Sequence, residues 1–135
     1  MKRLFSALVL ALITISLLTA AAPVPNTTFT LLQGLPATMN VGDVYTVVVQ
    51  VDSDQEFLSA MAQPSFQYPG KGVVAVQGGD RTGRGTSATV EVTFEAKSPT
   101  DRMENGVAPV HVVVGVRYQG GYVAVQNYLF YVTVP

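Results

Sequence analysis

The sequence predicts an all-β protein: an antiparallel sandwich of about seven strands, preceded by the helix of a signal peptide. Two alternating stretches and the turn signals around them carry that expectation. Between Thr86 and Lys97, Ala88, Val90, Val92, Phe94 and Ala96 alternate with Thr89, Glu91, Thr93, Glu95 and Lys97. Successive side chains of a strand point to opposite faces, so this spacing collects the apolar groups on one side and the polar groups on the other. A helix would scatter both sets around its circumference. Between Val107 and Tyr118, Val110, Val112, Val114, Val116 and Tyr118 share one phase, with His111, Val113, Gly115 and Arg117 on the other. Turn formers such as Asn40-Val41-Gly42-Asp43 and Pro69-Gly70-Lys71-Gly72 separate these runs from their neighbours. A strand with one wet face needs a second apolar layer, which further antiparallel strands would supply.

Residues 1–21 read as a signal peptide. Lys2-Arg3 is a basic start, residues 4–18 are an apolar run, and Thr19-Ala20-Ala21-Ala22 offers small side chains for cleavage. The run is shorter than the roughly 20 residues of a spanning helix. Pro23 disfavours a cut after Ala22, so the expected bond is the one after Ala20 or Ala21. No cysteine follows the apolar run, which argues against a lipid anchor. Loss of the leader would leave 114 of the 135 residues, one domain by size. Six of the eight basic side chains would then face nine acidic ones, a net charge of about −3. Such a surface is unsuited to nucleic acid or an anionic membrane. An exported domain without cysteine must rely on its core, and it points to a bacterial envelope or extracellular setting.

Residues 22–27 read as an N-terminal tether and 28–135 as the domain. The first strand covers 28–33 and breaks at Gly34-Leu35-Pro36. The second covers 44–52, with Val47, Val49 and Val51 on one face, and residues 52–56 follow as a polar connection. Residues 57–68 read as a strand interrupted by Pro64, at a sheet edge or a bulge, since proline is confined to such places. Residues 73–77 form a short strand and 78–85 a Gly-rich loop, leading into the strand over 86–97. Ser98-Pro99-Thr100-Asp101 has the order of a helix start and Gly106 ends it, giving one turn. Gln119-Gly120-Gly121 makes a hairpin between strands over 107–118 and 122–134. Val123 and Val125 are out of phase with Tyr128, Phe130, Val132 and Val134, so a bulge is expected near Gln126-Asn127. Val90, Val92, Phe94, Val112 and Val114 should form the core.

The run Leu35-Pro-Ala-Thr-Met-Asn-Val-Gly-Asp-Val-Tyr-Thr-Val-Val-Val resembles the opening of bacterial immunoglobulin-like and fibronectin-III-like surface modules. There a proline is followed, several residues on, by Val-Gly-Asp or Val-Gly-Glu and a Thr/Val-rich strand. The closing hairpin over 110–118 and 122–134 is similar to the last hairpin of such domains. The resemblance implies an immunoglobulin-like β-sandwich, with protein binding, adhesion or envelope structure as its role. It carries over no functional residue, and neither the Cys pair nor the Trp of antibody-type domains is present.

Chemistry is sparse. His111 is the one histidine and there is no cysteine, so a nucleophile-and-base pair or a zinc site lacks its parts. Residues 78–85 lack the spacing and lysine of a phosphate-binding loop and lead into a strand, not a helix. The expectation is a non-catalytic module without cofactors. Its partner would be another protein or an envelope polymer, and it would meet a membrane only through the leader. Carbohydrate or small-ligand binding, assisted by calcium at Asp52, Asp54 and Glu56, is the alternative. If successive strands reverse direction, residues 52–56, 78–85 and 119–121 all fall at one end of the sandwich. That end would gather Asp52, Asp54, Glu56, Asp80, Arg81, Arg84, Tyr118 and Tyr122 as a binding surface on loops. The two tyrosines would offer broad contact area at low entropic cost.

Overall fold

The computed structural model describes residues 23–65, 72–77 and 79–135. Among them the chain forms β1 (Thr27–Gln33), β2 (Val44–Phe57), β3 (Ser59–Pro64), β4 (Val73–Ala75), β5 (Asp80–Thr82), β6 (Gly85–Ala96), β7 (Ala108–Arg117) and β8 (Val123–Val132). A 3-10 turn over Glu104–Gly106 lies between β6 and β7. Two four-stranded sheets, in the orders β1-β2-β6-β4 and β5-β3-β7-β8, pair antiparallel throughout. The leader expected over residues 1–21 lies outside the described residues.

The apolar phases meet between the sheets. Val47, Val49 and Val51 of β2 and Val90, Val92 and Phe94 of β6 are buried with Ala60 and Ala62 of β3 and Val110, Val112, Val114 and Val116 of β7. Each fully buried Val or Phe contributes about 1.5–3 kcal/mol over exposure, so this layer is the main stabilising term of a chain without disulfides. The all-β sandwich expected from the alternation is the fold, with eight strands in it.

Five local expectations are corrected. The second strand does not stop at Asp52 but runs to Phe57, and Leu58 alone separates it from β3. Residues 52–56 keep the period-two pattern: Ser53 and Gln55 turn inward, Phe57 is fully buried, and Asp52, Asp54 and Glu56 face water. Thr27 and Thr28 of β1 pair with Ser53 and Asp52, which satisfies a backbone that would otherwise be a loop.

The Gly-rich segment contains β5, where Asp80, Arg81 and Thr82 pair with Ala62, Met61 and Ala60. β4 and β5 run in the same direction, the first on one sheet and the second on the other. Two short strands close in sequence thus contribute to different sheets.

β8 has no bulge. Its register with β7 is unbroken from Arg117↔Val123 to Ala108↔Val132. Val123 and Val125 therefore face solvent, as do Leu129 and Tyr131, while Tyr128, Phe130 and Val132 turn inward. Alternation misleads here because the outer face of this edge strand is itself apolar.

The helical turn forms over Glu104–Gly106 and does not start at Ser98, whose hydroxyl instead accepts the Gly72 N–H at 2.8 Å. Asn105 has φ 56°, a left-handed conformation that Asn tolerates better than most residues. The strand expected over 57–68 is β3, with Pro64 as its last residue, and the part over 66–68 lies outside the described residues. It is not an edge: β3 lies between β5 and β7, and Pro64 is tolerated because β5 pairs only as far as Ala62.

The outer faces of the two sheets differ. On the first, Thr46 and Thr93 hydroxyls lie 2.9 Å apart, Thr89 donates to Gln50 at 2.7 Å, and Gln50 donates to Ser87 at 2.8 Å. On the second, the registers place Met61, Gly115 and Val125 side by side, then His111 beside Leu129 and Pro109 beside Tyr131.

Candidate functional site

One end of the sandwich collects the C-terminal end of β2, the start of β3, the end of β5, the start of β6 and the β7–β8 hairpin. The registers Ser59↔Arg117, Ala60↔Thr82 and Phe57↔Gly85 bring these together. The hairpin is tight because Gly120 and Gly121 both have φ 92°, which side-chain-bearing residues resist. Its closing bonds run from Tyr118 N–H to Tyr122 O at 2.9 Å and from Gly121 N–H to Tyr118 O at 3.3 Å.

Tyr118 anchors this end. It is 3% exposed, its ring meets Phe57 edge-on at 6.5 Å, and its hydroxyl lies 2.8 Å from Ser53 Oγ and 2.5 Å from Thr27 Oγ1. Tyr122 leans on it at 5.8 Å between ring centroids and is 43% exposed. The residues before β1 complete the surface: Asp54 accepts the Asn26 N–H at 2.8 Å, and Gln55 Nε2 donates to Pro23 O at 3.1 Å. Between this segment and the hairpin lies a cleft of about 380 Å³, bounded by Pro23, Val24 and Pro25, by Gln55 and Glu56, and by Tyr118, Gln119 and Tyr122. A neighbouring cleft of about 390 Å³ is lined by Leu58, Ser59, Arg81, Thr82, Gly83 and Arg117.

Of the residues expected at this end, Asp54, Glu56, Arg84, Tyr118 and Tyr122 do meet there, with Arg81 in the adjoining cleft. Glu56 and Arg84 face each other at 3.4 Å with both side chains mostly in water, a contact worth little. Two residues lie elsewhere. Asp52 stands on the outer face of the first sheet and accepts from Ser87 Oγ at 2.9 Å. Asp80 is opposite Ala62, away from the end, and accepts the Glu91 N–H at 3.1 Å, tying the two sheets together. The carboxylates are thus spread over protein donors, and no three His, Cys, Asp or Glu side chains form a metal-holding group among the described residues. His111 is half-buried on the outer face of β7, beside Leu129 in the register.

Sequence reasoning missed the part played by Pro23–Pro25 and by Arg117. The apolar Val24 within an otherwise tether-like stretch was the signal for the first. The second needed the knowledge that Arg117 pairs with Ser59. A further cleft of about 550 Å³ at the opposite end is lined by residues around the 3-10 turn, among them Met103, Val107 and Pro109, and by Tyr131.

No family model matches the chain, and no curated protein matches it. Among solved structures, the crystal structure of a conjugative transposon lipoprotein from Bacteroides eggerthii aligns with a TM-score of 0.41 at 15% sequence identity. The alignment covers 77% of this chain and 95% of that one.

Proposed function

We propose that the chain is an exported, non-catalytic immunoglobulin-like module of the cell envelope or its exterior. It would bind another protein or an envelope polymer through the end that carries Tyr122. The observation behind this reading is the cleft between Pro23–Pro25 and the β7–β8 hairpin. There an exposed aromatic ring and the exposed Val24 sit on a rigid base made by Tyr118 and Phe57. Rigid aromatic anchors beside adaptable polar groups such as Gln55 and Gln119 are the parts from which binding loops are built. Export rests on the basic and apolar start of the sequence. The non-catalytic role is supported by the position of His111, which lies beside Leu129 on a strand face and away from the candidate end.

Carbohydrate or small-ligand binding would use the same cleft. Its calcium-assisted form is the weaker one, because Asp52, Asp54 and Asp80 already accept protein hydrogen bonds. The test is capture of envelope proteins in parallel with a glycan array, each with the wild-type protein and Tyr122→Ser. A protein or polymer ligand lost with Tyr122→Ser is the expected result. Binding that Tyr122→Ser leaves intact would move the site elsewhere.

A further inference from the structure

The edges of the two sheets are protected unequally. A strand edge presents unpaired N–H and C=O groups, and proteins blunt it with shortness, charge, proline or bulges. On one side of the sandwich the edges are β4 and β5, three residues each, the second carrying Asp80 and Arg81. On the other side lie β1, whose register is irregular between Leu31 and Gln33, and β8. β8 is ten residues long, is regular throughout, and holds no proline and no charged residue. Charge is in fact absent from the whole chain after Arg117.

The backbone of β8 has a defined open stretch. In an antiparallel pair, alternate residues direct both backbone groups toward the partner strand. The bond from Tyr118 N–H to Tyr122 O sets that phase, so the even-numbered residues of β8 face β7 and the odd-numbered ones face outward. Thr133 fits the same phase: its N–H donates to Ala37 O at 2.9 Å and its O accepts the Met39 N–H at 3.0 Å. Those bonds cover the end of the edge. Val123, Val125, Asn127, Leu129 and Tyr131 are left facing outward with no backbone partner among the described residues, the last of them next to the segment that bonds Thr133. Asn127 O takes an exposed bond from Gln126 Nε2 at 3.2 Å, which a strand could displace.

We propose that this edge is the interface between two copies of the chain. The β8 strands would pair antiparallel about a two-fold axis at Gln126 and join the two second sheets into one. Gln126 is the midpoint of residues 123–129, the part of the open stretch that stands clear of residues 37–39 at Thr133. Outward backbone groups in this spacing are satisfied by another strand. Two identical strands related by a two-fold axis meet antiparallel and close the contact on itself. About Gln126, Val123 of each copy stands opposite Leu129 of the other, and Val125 opposite Asn127. Like charges facing each other are what penalises self-pairing, and this edge has none. The surface is distinct from the Tyr122 cleft, so failure of one proposal leaves the other standing.

The experiment is sedimentation of protein purified from expression of the full chain, over about 1–200 µM, spanning weak to moderate affinities. Wild type is expected to sediment as a dimer at the upper concentrations. Val125→Lys places charge beside the axis and should weaken association roughly tenfold or more. Asn127→Pro removes an edge-facing N–H and leaves the β7 ladder whole, so it should give folded monomer by circular dichroism. Because the chain has no native cysteine, Gln126→Cys adds a sole thiol. Across the axis its Cα would lie about 4.5 Å from its counterpart, as in non-hydrogen-bonded pairs, within disulfide reach. It should oxidise to a linked dimer, whereas Glu91→Cys on the other sheet should not. A monomer at every concentration would overturn the proposal. So would a dimer that both edge variants leave intact, or linking by Gln126→Cys no greater than by Glu91→Cys.

Discussion

Tyr118, at the end of β7, places its hydroxyl 2.8 Å from Ser53 Oγ on β2, so a hydrogen bond joins the two sheets at the candidate end. Tyr118→Phe keeps the ring against Phe57 and removes that link. The hydroxyl's contact with Thr27 Oγ1 goes with it, so the expected cost is about 2 kcal/mol, roughly 1 for each bond. Tyr118→Ala also empties the space under Tyr122 and should cost about 3–5 kcal/mol. Urea midpoints of the two variants measure the difference. Equal midpoints would mean that the hydroxyl, and not the ring, is what matters.

Phe94 and Glu91 test the faces of β6. Phe94 is fully buried, and Glu91 is exposed with its backbone N–H, not its side chain, bonded to Asp80. Phe94→Ala should lose about 3–5 kcal/mol and Glu91→Ala should lie within about 0.5 kcal/mol of wild type. A chemical denaturation series settles it, and comparable losses would reverse the face assignment.

Thr100 is buried between β6 and β7 and holds the end of the chain. Its Oγ1 donates to Gly106 O at 2.7 Å and accepts the Val134 N–H at 2.9 Å, while its own N–H donates to Val134 O at 2.9 Å. Thr100→Val matches the shape and leaves a buried donor and acceptor unpaired, for an expected loss of about 1–3 kcal/mol. Thr100→Ser keeps the hydroxyl and should recover most of it. No recovery with Ser would show that the methyl group matters more than the bonds.

Tyr128 faces inward on β8, and desolvation raises its hydroxyl pKa above the ordinary 10.0. The folded state therefore holds its proton to higher pH than the unfolded state does. That contribution to stability is complete below pH 10 and declines as pH rises through the folded pKa. Thermal melts between pH 9 and 11, a window about one unit either side of that value, should show a shallower alkaline decline for Tyr128→Phe than for wild type. An unchanged slope would remove Tyr128 from the account.

The long alternations of β6 and β7 were legible because each buries one face, so period alone assigns inside and outside. The last part of β2 is hard to recognise because Asp52, Asp54 and Glu56 look like a loop. Only their alternation with Ser53, Gln55 and Phe57 marks them as the wet face of a strand. β5 is too brief for periodicity, and its attachment to β3 depends on a partner distant in sequence. The same limit separates the candidate residues. Tyr118 and Tyr122 could be placed together because a Gly-Gly hairpin joins them. The position of Asp80 depended on which sheet residues 73–82 follow, and no local pattern encodes that.

The parallel contact between Thr38 and Thr133 has a mechanical meaning. β1 and β8 run the same way, so Pro23 lies beyond one end of the sandwich and Pro135 beyond the other. Tension applied at those two points would pull along the strands, loading the β1–β2 ladder and the Thr38–Thr133 contact in shear. Bonds loaded side by side must yield together, whereas a ladder pulled from one end opens rung by rung. Rupture under force is governed by the unfolding rate rather than by equilibrium stability, so resistance along this axis would be set by those few bonds and not by the size of the core.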